Sequence, residues 1–335
     1  MRRIDRRTLL QYGVSAAVLA VLPASLRAEL SAAPISPFDE DSTAEEVTAG
    51  LDLTGKTYAI TGANSGLGFE TMRVLTLRGA HVIAIARTPE KARTACDSIQ
   101  GKTTPAHLDL AIPDTIVACA EQVRALDMPI DGLICNAGIM ALQELEQVNG
   151  IEKQFAVNHL GHFILINQLH DTVVAADQGR FVIVSSLAHE RAPEEGIQFD
   201  NLSGEKGEYH PWTAYGQSKL ANALCARELA KRLEGTTATA NSLHPGVINT
   251  NLGRHMPWYT RMAASLLGWT FMKSVEAGAA TQTYLATNPE LAGTSGLYFS
   301  DCNPAEGSPH LNDDAMAARL WAVSEELTRD YLRAT

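Results

Sequence analysis

The sequence predicts an α/β fold, a single doubly wound parallel sheet with helices on both faces. Three observations predict it. Short apolar runs ending in glycine or hydroxyl residues alternate with stretches of helical spacing, the rhythm of parallel strands and crossover helices covering a sheet on both sides. A glycine-rich turn follows the first of these runs and opens a helix. Over 335 residues, 45% are hydrophobic and 19% charged, enough to bury a sizeable core in one large α/β domain or two small ones. No internal repeat and no second-domain boundary is visible.

The elements follow in order. The chain opens on "RRIDRRTLLQYGVSAAVLAVLPASLRA", in which four arginines precede an apolar run from Val14 to Leu22. That run is shorter than the ~20 apolar residues of a transmembrane helix. A basic start, a short apolar middle and small residues at the end have the proportions of a signal peptide. Paired Arg6 and Arg7 followed by Leu9 and Leu10 resemble a twin-arginine export signal, cleaved after Ala28 despite the large Leu26. An uncleaved membrane anchor and a functionless stub are the alternatives. Residues 29–50 are polar, acidic and Pro-containing and read as a linker, leaving 51–335 as the folded domain.

From Leu51 the rhythm begins. "KTYAITG" is the first strand, Gly66 to Arg78 the first helix, and "AHVIAIAR" the second strand. "DGLICNAG", "GRFVIVSS" and "ATANSLHPG" follow as strands, with "SGLYFS" as a last one. Helices are expected around 88–100, 112–126, 147–175, 213–234 and 275–287. Residues 251–274 fall outside this rhythm and carry Met256, Trp258, Tyr259, Met262, Leu266, Leu267, Trp269 and Phe271.

Composition excludes several classes. Net charge is −11, and removing residues 1–28 leaves about −15, which argues against nucleic acid or an anionic membrane as the main partner. Cys96, Cys119, Cys135, Cys225 and Cys302 form no CxxC pair and read as small buried hydrophobes, not a disulfide scaffold. His159, His162, His189 and His244 lack metal-ligand spacing and read as structural or pocket-lining, so no metal is expected.

In "TGANSGLG" the glycines are Gly62, Gly66 and Gly68, spaced GxxxGxG. Glycine permits positive φ and close backbone approach to a ligand. The helix that follows aims free N–H groups and its positive dipole end at the turn, which suits a pyrophosphate. With strand before and helix after, the turn makes the sheet Rossmann-type. The second strand ends in Arg87, 19 residues after Gly68, where an acidic residue would bond the ribose of NAD. A guanidinium favours a 2′-phosphate, so NADP is expected over NAD, with Lys91 as an assistant. The absence of Arg or Lys from the turn itself leaves NAD open.

"YGQSK" sets Tyr215 and Lys219 four residues apart, on one helix face. Hydride transfer to a carbonyl needs a proton donor for the forming alkoxide, and the reverse needs a base. Free tyrosine titrates near ~10, too high for base work. A neighbouring ammonium favours phenolate and brings that value down. Ser186, at the end of "FVIVSS", is placed to hold the substrate oxygen beside Tyr215, with Ser185 as its rival.

At this point the sequence resembles the short-chain dehydrogenase/reductase family, most like its retinol dehydrogenase and WW-domain oxidoreductase branch. The matching stretches are "TGANSGLG", Asp109–Leu110, "NAG" at 136–138, "VNHLGHF", "VSS", "YGQSK" and "HPGVINT" at 244–250. They run in the family's order over roughly residues 54–300. The resemblance implies that Tyr215 is the general acid/base. It makes Lys219 lower the phenol's pKa and bond the nicotinamide ribose, and Ser186 position the carbonyl. Asn158 would hold a water linking Lys219 to a proton relay. Asn64, Ser65 and Leu67 would line the phosphate turn with its glycines, and Asp109 with Leu110 would meet the adenine. Asn136, Ala137 and Gly138 would shape the cofactor site, Asn136 also bracing the sheet. Pro245, Gly246, Val247 and Thr250 would flank the nicotinamide. Two departures stand out: Cys135 replaces a common asparagine, and the 29-residue gap from Ser186 to Tyr215 carries a polar insertion that borders the substrate mouth.

The apolar stretch 251–274 is expected to cover a small hydrophobic alcohol or carbonyl that is retinoid-, steroid- or lipid-like, with a membrane-docking or dimer surface as the alternative. The oligomeric state is not encoded legibly. A twin-arginine leader on a nucleotide-binding domain implies a periplasmic enzyme that folds around its NADP before export; membrane anchoring or a cytoplasmic site are the alternatives. Two rival functions stand beside the oxidoreductase. A non-catalytic NADP-binding sensor needs no proton-relay set, and a nucleotide-sugar epimerase needs a larger C-terminal domain than the chain after Pro245 provides.

Overall fold

The computed structural model describes residues 34–248 and 273–333. The leader 1–28, Thr250 and nearly all of the apolar stretch 251–274 lie outside the described residues.

The apolar runs form strands buried along their whole length. β1 (Thr57–Thr61), β2 (His81–Ala86), β4 (Gly132–Cys135) and β7 (Arg180–Val184) have no exposed residue. With β3 (Lys102–His107), β8 (Thr239–His244), β9 (Tyr298–Ser300) and β10 (Asn303–Pro304) they make one sheet in the order β10-β9-β8-β7-β4-β1-β2-β3, parallel except for β10. Strand side chains alternate between faces. Ala59, Ile83, Ile85, Leu133, Phe181 and Ile183 thus fall on one face. There they meet Ile116 and Val123 of α4 (Pro113–Arg124), Phe163 and Leu169 of α5 (Gly161–Val174), and Leu229 of α6 (Pro211–Arg232). α9 (Asp314–Thr328) lies against α6, adding Leu320 to a cluster with Leu220 and Leu224. α2 (Gly66–Leu77) meets β1, while α7 (Val275–Gly278) and α8 (Ala280–Thr287) pack on α2. Proline opens α3 (Pro89–Asp97), α4 and α6 at their first position, where its missing N–H costs nothing.

Three expectations change. β3 is absent from the sequence reading because it is a half-exposed edge strand holding Pro105, a residue that sheets tolerate at edges. The helix expected over 147–175 begins late. Gln147–Val148 (β5) and Ile151–Glu152 (β6) pair as a hairpin around Asn149 and Gly150, whose φ values are 51° and 78°. Asn-Gly is a strong two-residue hairpin signal. A helical turn at Lys153–Phe155 and a π-helical turn at Ala156–Leu160 then lead into α5.

The linker 29–50 is corrected in its second half. Thr43 and Glu46 cap each other at the start of α1 (Ala44–Val47), and the buried Ala44 packs with Val74 of α2 and Ala279. Residues 36–50 thus belong to the folded body, because two apolar residues three apart on a capped turn suffice to dock it.

Parallel strands all end at the same edge of the sheet, where α/β folds bind ligands. The turns after β1, β2, β3, β4, β7 and β8 therefore bring Gly62, Arg87, Asp109, Asn136, Ser186 and Pro245 to one side, although the sequence spreads them over nearly two hundred positions.

Candidate active site

The glycine turn has the conformation its residues suggest. Gly62 and Gly66 have φ of 73° and 55°, values that side-chain-bearing residues rarely adopt. At Gly68 a Cβ would fall 2.5 Å from the Gly62 carbonyl oxygen and 2.6 Å from Asn136 Nδ2, so only glycine lets α2 start this close to β1 and β4. Ser65 stands at the N-cap, exposed, and its side chain makes no capping bond. The first N–H groups of α2 therefore have no side-chain acceptor from the cap, which fits a phosphate. Asn64 and Leu67 are half-buried beside the turn. Arg87 is exposed at the end of β2, open to an anionic group. Lys91 is also exposed, and its backbone N–H is bonded by the Thr88 cap.

Asp109 closes its own turn, Oδ1 accepting from Ala111 N at 2.9 Å, and Leu110 is buried against Gly161. Asn136 braces the sheet as expected: its Nδ2 donates to Thr61 O at 2.8 Å. The Thr61 hydroxyl accepts from the N–H groups of Asn136 and Ala137, both at 3.0 Å. Its own proton then points to His162 Nε2 at 2.9 Å, which leaves the His162 Nδ1–H to donate to Asn158 O at 2.9 Å. Burial, with the Lys219 charge, pushes His162 down to about 4, in keeping with this neutral tautomer.

Asn158 sits on the π-helical turn, a distortion frequent at functional sites. Its Oδ1 accepts from Ile139 N at 2.8 Å, and its Nδ2 donates to Ile139 O and Ser218 Oγ, both at 2.9 Å. Both amide hydrogens are thus committed to protein. Gly138 keeps room here, since a Cβ would lie 3.1 Å from Asn158 Oδ1 and 3.7 Å from Lys219 Nζ.

On the other side stand the two serines and α6. Ser185 is buried and donates to Lys219 O at 2.7 Å, tying β7 to α6. Ser186 is half-buried just past the end of the same strand, and its hydroxyl accepts from Ala188 N at 3.1 Å. The rival Ser185 hydroxyl is thus committed to α6, whereas among the described residues Ser186 keeps its hydroxyl proton for another partner. Tyr215 and Lys219 lie on the same buried face of α6, at 5% and 3% exposure. Lys219 Nζ donates to Val184 O at 3.0 Å and stands 5.7 Å from the Tyr215 ring centroid. It has no carboxylate partner among the described residues, and burial lowers its pKa to about 8. The sequence expects a depressed phenol; burial reverses the direction and pushes Tyr215 up to about 12, against the opposing influence of the Ser186 side chain. Pro245 and Gly246 are half-buried after β8, and Val247 is exposed.

His159, His189 and His244 are structural. Nε2 of His159 bonds Ser324 Oγ at 2.8 Å, the His189 ring bonds Ser186 O and Ser308 N, and His244 accepts from Leu187 N. No group of metal-binding side chains occurs among the described residues, and all five cysteines are buried and free. Sequence reasoning missed Thr61, Ser218 and Trp212 as neighbours of the site. A signal for Ser218 exists, since it lies three residues after Tyr215 on a helix. Trp212, three residues before Tyr215, carries the same mark, whereas Thr61 has none.

Comparison with known proteins identifies the family. Residues 56–199 match the short chain dehydrogenase family. The chain is 37% identical over 305 residues to the human WW domain-containing oxidoreductase, covering 88% of this chain and 73% of that one. It is 40% identical to human retinol dehydrogenase 14, covering 82% of this chain and 86% of the relative. It is also 40% identical to the chloroplastic short-chain dehydrogenase TIC 32 B of Brassica napus, covering 87% and 94%. Among solved structures, an uncharacterized protein from Mycobacterium paratuberculosis superposes with a TM-score of 0.68 at 34% identity, covering 84% of this chain and 97% of that one.

Proposed function

Because the chain belongs to the short-chain dehydrogenase family, as an NAD(P)-dependent dehydrogenase acting on CH–OH groups, we propose that it passes hydride between NADP and a hydrophobic alcohol or its aldehyde or ketone. The observation that carries this reading is that Tyr215 and Lys219 share one buried face of α6 and Ser186 follows β7, at the sheet edge that also bears the glycine turn. The turn and the first N–H groups of α2 would hold the pyrophosphate, and the exposed Arg87 would take the 2′-phosphate. Bound nicotinamide supplies the hydride in reduction and accepts it in oxidation.

The chain's own residues manage the proton. Ser186 Oγ holds the substrate oxygen next to the phenol. In reduction Tyr215 is already protonated at neutral pH, its pKa being pushed up to about 12, and donates to the forming alkoxide. Lys219, cationic below about pH 8, bonds the ribose and lends its charge to the phenolate that this donation leaves. Asn158, with both amide hydrogens bound to protein, would hold a relay water through a carbonyl oxygen. Two exposed apolar side chains support a hydrophobic substrate. Leu187, next to Ser186, is 48% exposed and Val247, beyond β8, is 57% exposed. Human retinol dehydrogenases 14 and 13 are among the similar proteins, in keeping with a retinoid- or lipid-like carbonyl.

The leader is read as a twin-arginine signal that exports the folded protein with NADP already bound. Periplasmic protein purified without nucleotide would oppose that. Among the described residues no helix is long and apolar enough to cross a membrane. The function itself is tested by a screen of hydrophobic carbonyls with NADPH and NADH beside Tyr215→Phe. NADPH is expected to be preferred, and the substitution to lower turnover ~10³-fold with nucleotide binding kept. Undiminished turnover in the variant overturns the assignment.

A further inference from the structure

We propose that Arg191 and Trp212 form the outer half of the substrate site and select an apolar carbonyl or alcohol bearing a carboxylate at its far end. The inference rests on the hydride-transfer reading for its inner half and names the substrate class more narrowly. Arg191 ends the 3₁₀ turn Leu187–Arg191 that follows Ser186. Its guanidinium carbon lies 4.9 Å from the centroid of the Trp212 ring. That ring in turn meets the Tyr215 ring edge-on, with centroids 6.1 Å apart and planes at 79°. Phenol, indole and guanidinium are thus successive neighbours, beginning at the reacting hydroxyls. Backbone packing sets their spacing. The turn presses on α6 at Gly216, where a Cβ would come within 2.6 Å of Ala188 O and 2.8 Å of the Arg191 carbonyl carbon.

The partner Arg191 takes is informative. Glu190, Glu194 and Glu195 flank it in sequence, yet it makes no ion pair among the described residues. An exposed cation–π contact and a surface salt bridge are of similar strength, each up to ~1 kcal/mol. Stacking on the indole instead of pairing with a glutamate therefore costs little, and it leaves the in-plane N–H fork free for a carboxylate. Leu187, half-exposed, adds an apolar side chain on the same turn. From the reacting phenol outward the successive neighbours are an apolar indole and then a planar cation. The complement is a carbonyl, an alkyl or polyene body, then a carboxylate. On a body with net charge near −15, such a ligand would be repelled without a local cation.

The test uses the full chain with NADPH and two probes, an ω-oxo fatty acid and its methyl ester, in wild type and Arg191→Gln. Both kcat/KM and direct binding by calorimetry are measured. Wild type should favour the acid by about tenfold, eroding with added salt, and in Arg191→Gln the acid-to-ester ratio should fall to about one. Three results overturn the proposal: equal affinity for acid and ester in wild type, an unchanged ratio in the variant, or no binding of either probe. A variant that weakens both probes alike, with a lowered Tm, also overturns it, since Arg191 then only holds the turn against α6. Binding that prefers the acid without any turnover would remove the hydride-transfer reading and leave this one standing.

Discussion

The nucleotide-facing turns of the site and its proton-transfer corner are built by opposite means. After β1 and β2 the protein offers backbone N–H groups and exposed side chains; Ser65 and Arg87 both face solvent, and what is fixed is backbone conformation at Gly62 and Gly66. Between β7 and α6 it offers side chains withdrawn from water, and Asn158, Tyr215 and Lys219 are all at least nine-tenths buried. A phosphate is bound well by dipoles at a wet helix end. A proton donor works best where the surrounding dielectric is low and its partners are fixed in advance. The first arrangement costs the fold little. The second places in the interior an ammonium with no carboxylate partner among the described residues, at a cost in stability.

Lys219→Met tests that difference hardest. Turnover should fall ~10²- to 10⁴-fold, while the protein becomes more stable. The sign follows from the lowered pKa. Folded Lys219 titrates at about 8 and the unfolded side chain at 10.5. Below pH 8 both states hold the proton and the folded state bears the full cost of burying it. Between 8 and 10.5 the folded state releases it first, so stability rises with pH. Melting curves from pH 7 to 10 should show a rise in wild type that the variant lacks. Val184 O keeps its bond from Asn222 Nδ2 at 3.0 Å, so the substitution orphans no carbonyl. A variant that melts lower than wild type at pH 7 would show that the corner stabilises the fold, and the contrast would fail.

The two regions also differ in how far the sequence reveals them. The nucleotide half is legible because backbone geometry forces residue type: positive φ at Gly62 and Gly66 and the 2.5 Å approach at Gly68 leave no choice but glycine. The Tyr215–Lys219 pair is legible because a helix brings residues four apart together. The Asn158 environment is not, since the network Thr61–His162–Asn158–Ser218 joins positions that only the sheet and the π-helical turn bring near one another. The phenol's raised pKa was also out of reach, because its cause is burial and burial is a property of the fold. Two features carried plain local signals that longer patterns masked: the Asn149-Gly150 hairpin turn, inside an apolar run that reads as helix, and the Thr43–Glu46 capping box, inside a stretch whose composition reads as linker.

Arg87→Glu probes the exposed half and should act on choice of nucleotide alone. The ratio of kcat/KM for NADPH over NADH should fall by about one to two orders of magnitude, since a carboxylate repels the 2′-phosphate and accepts from a ribose hydroxyl. Because Arg87 is exposed, stability should stay within ~0.5 kcal/mol. An unchanged ratio would place the 2′-phosphate elsewhere, whereas a loss of stability would show that this half also depends on buried contacts.

The smallest effect is expected where the nucleotide half meets the N-terminal turn. The Thr43 hydroxyl accepts from Glu46 N at 3.3 Å, and the Glu46 carboxylate accepts from Thr43 N at 2.8 Å and from its hydroxyl at 2.9 Å. α1, held by this box, packs on α2, and Arg73 of α2 pairs with Glu45 and Glu70. Arg78, just past α2, donates to the Glu45 carbonyl at 2.8 Å. Removing the cap by Thr43→Ala should cost ~1 kcal/mol and lower Tm by about 2 °C in a chain of this size. The loss should loosen α1 against α2, so KM for NADPH is expected to rise by less than twofold. Turnover at saturating nucleotide and its pH profile should stay as in wild type, because the proton-transfer corner hangs on β7, α5 and α6 and touches none of these residues. A change in that pH profile would mean that the two halves are coupled through α2, and the division between a wet nucleotide half and a dry catalytic half would have to be abandoned.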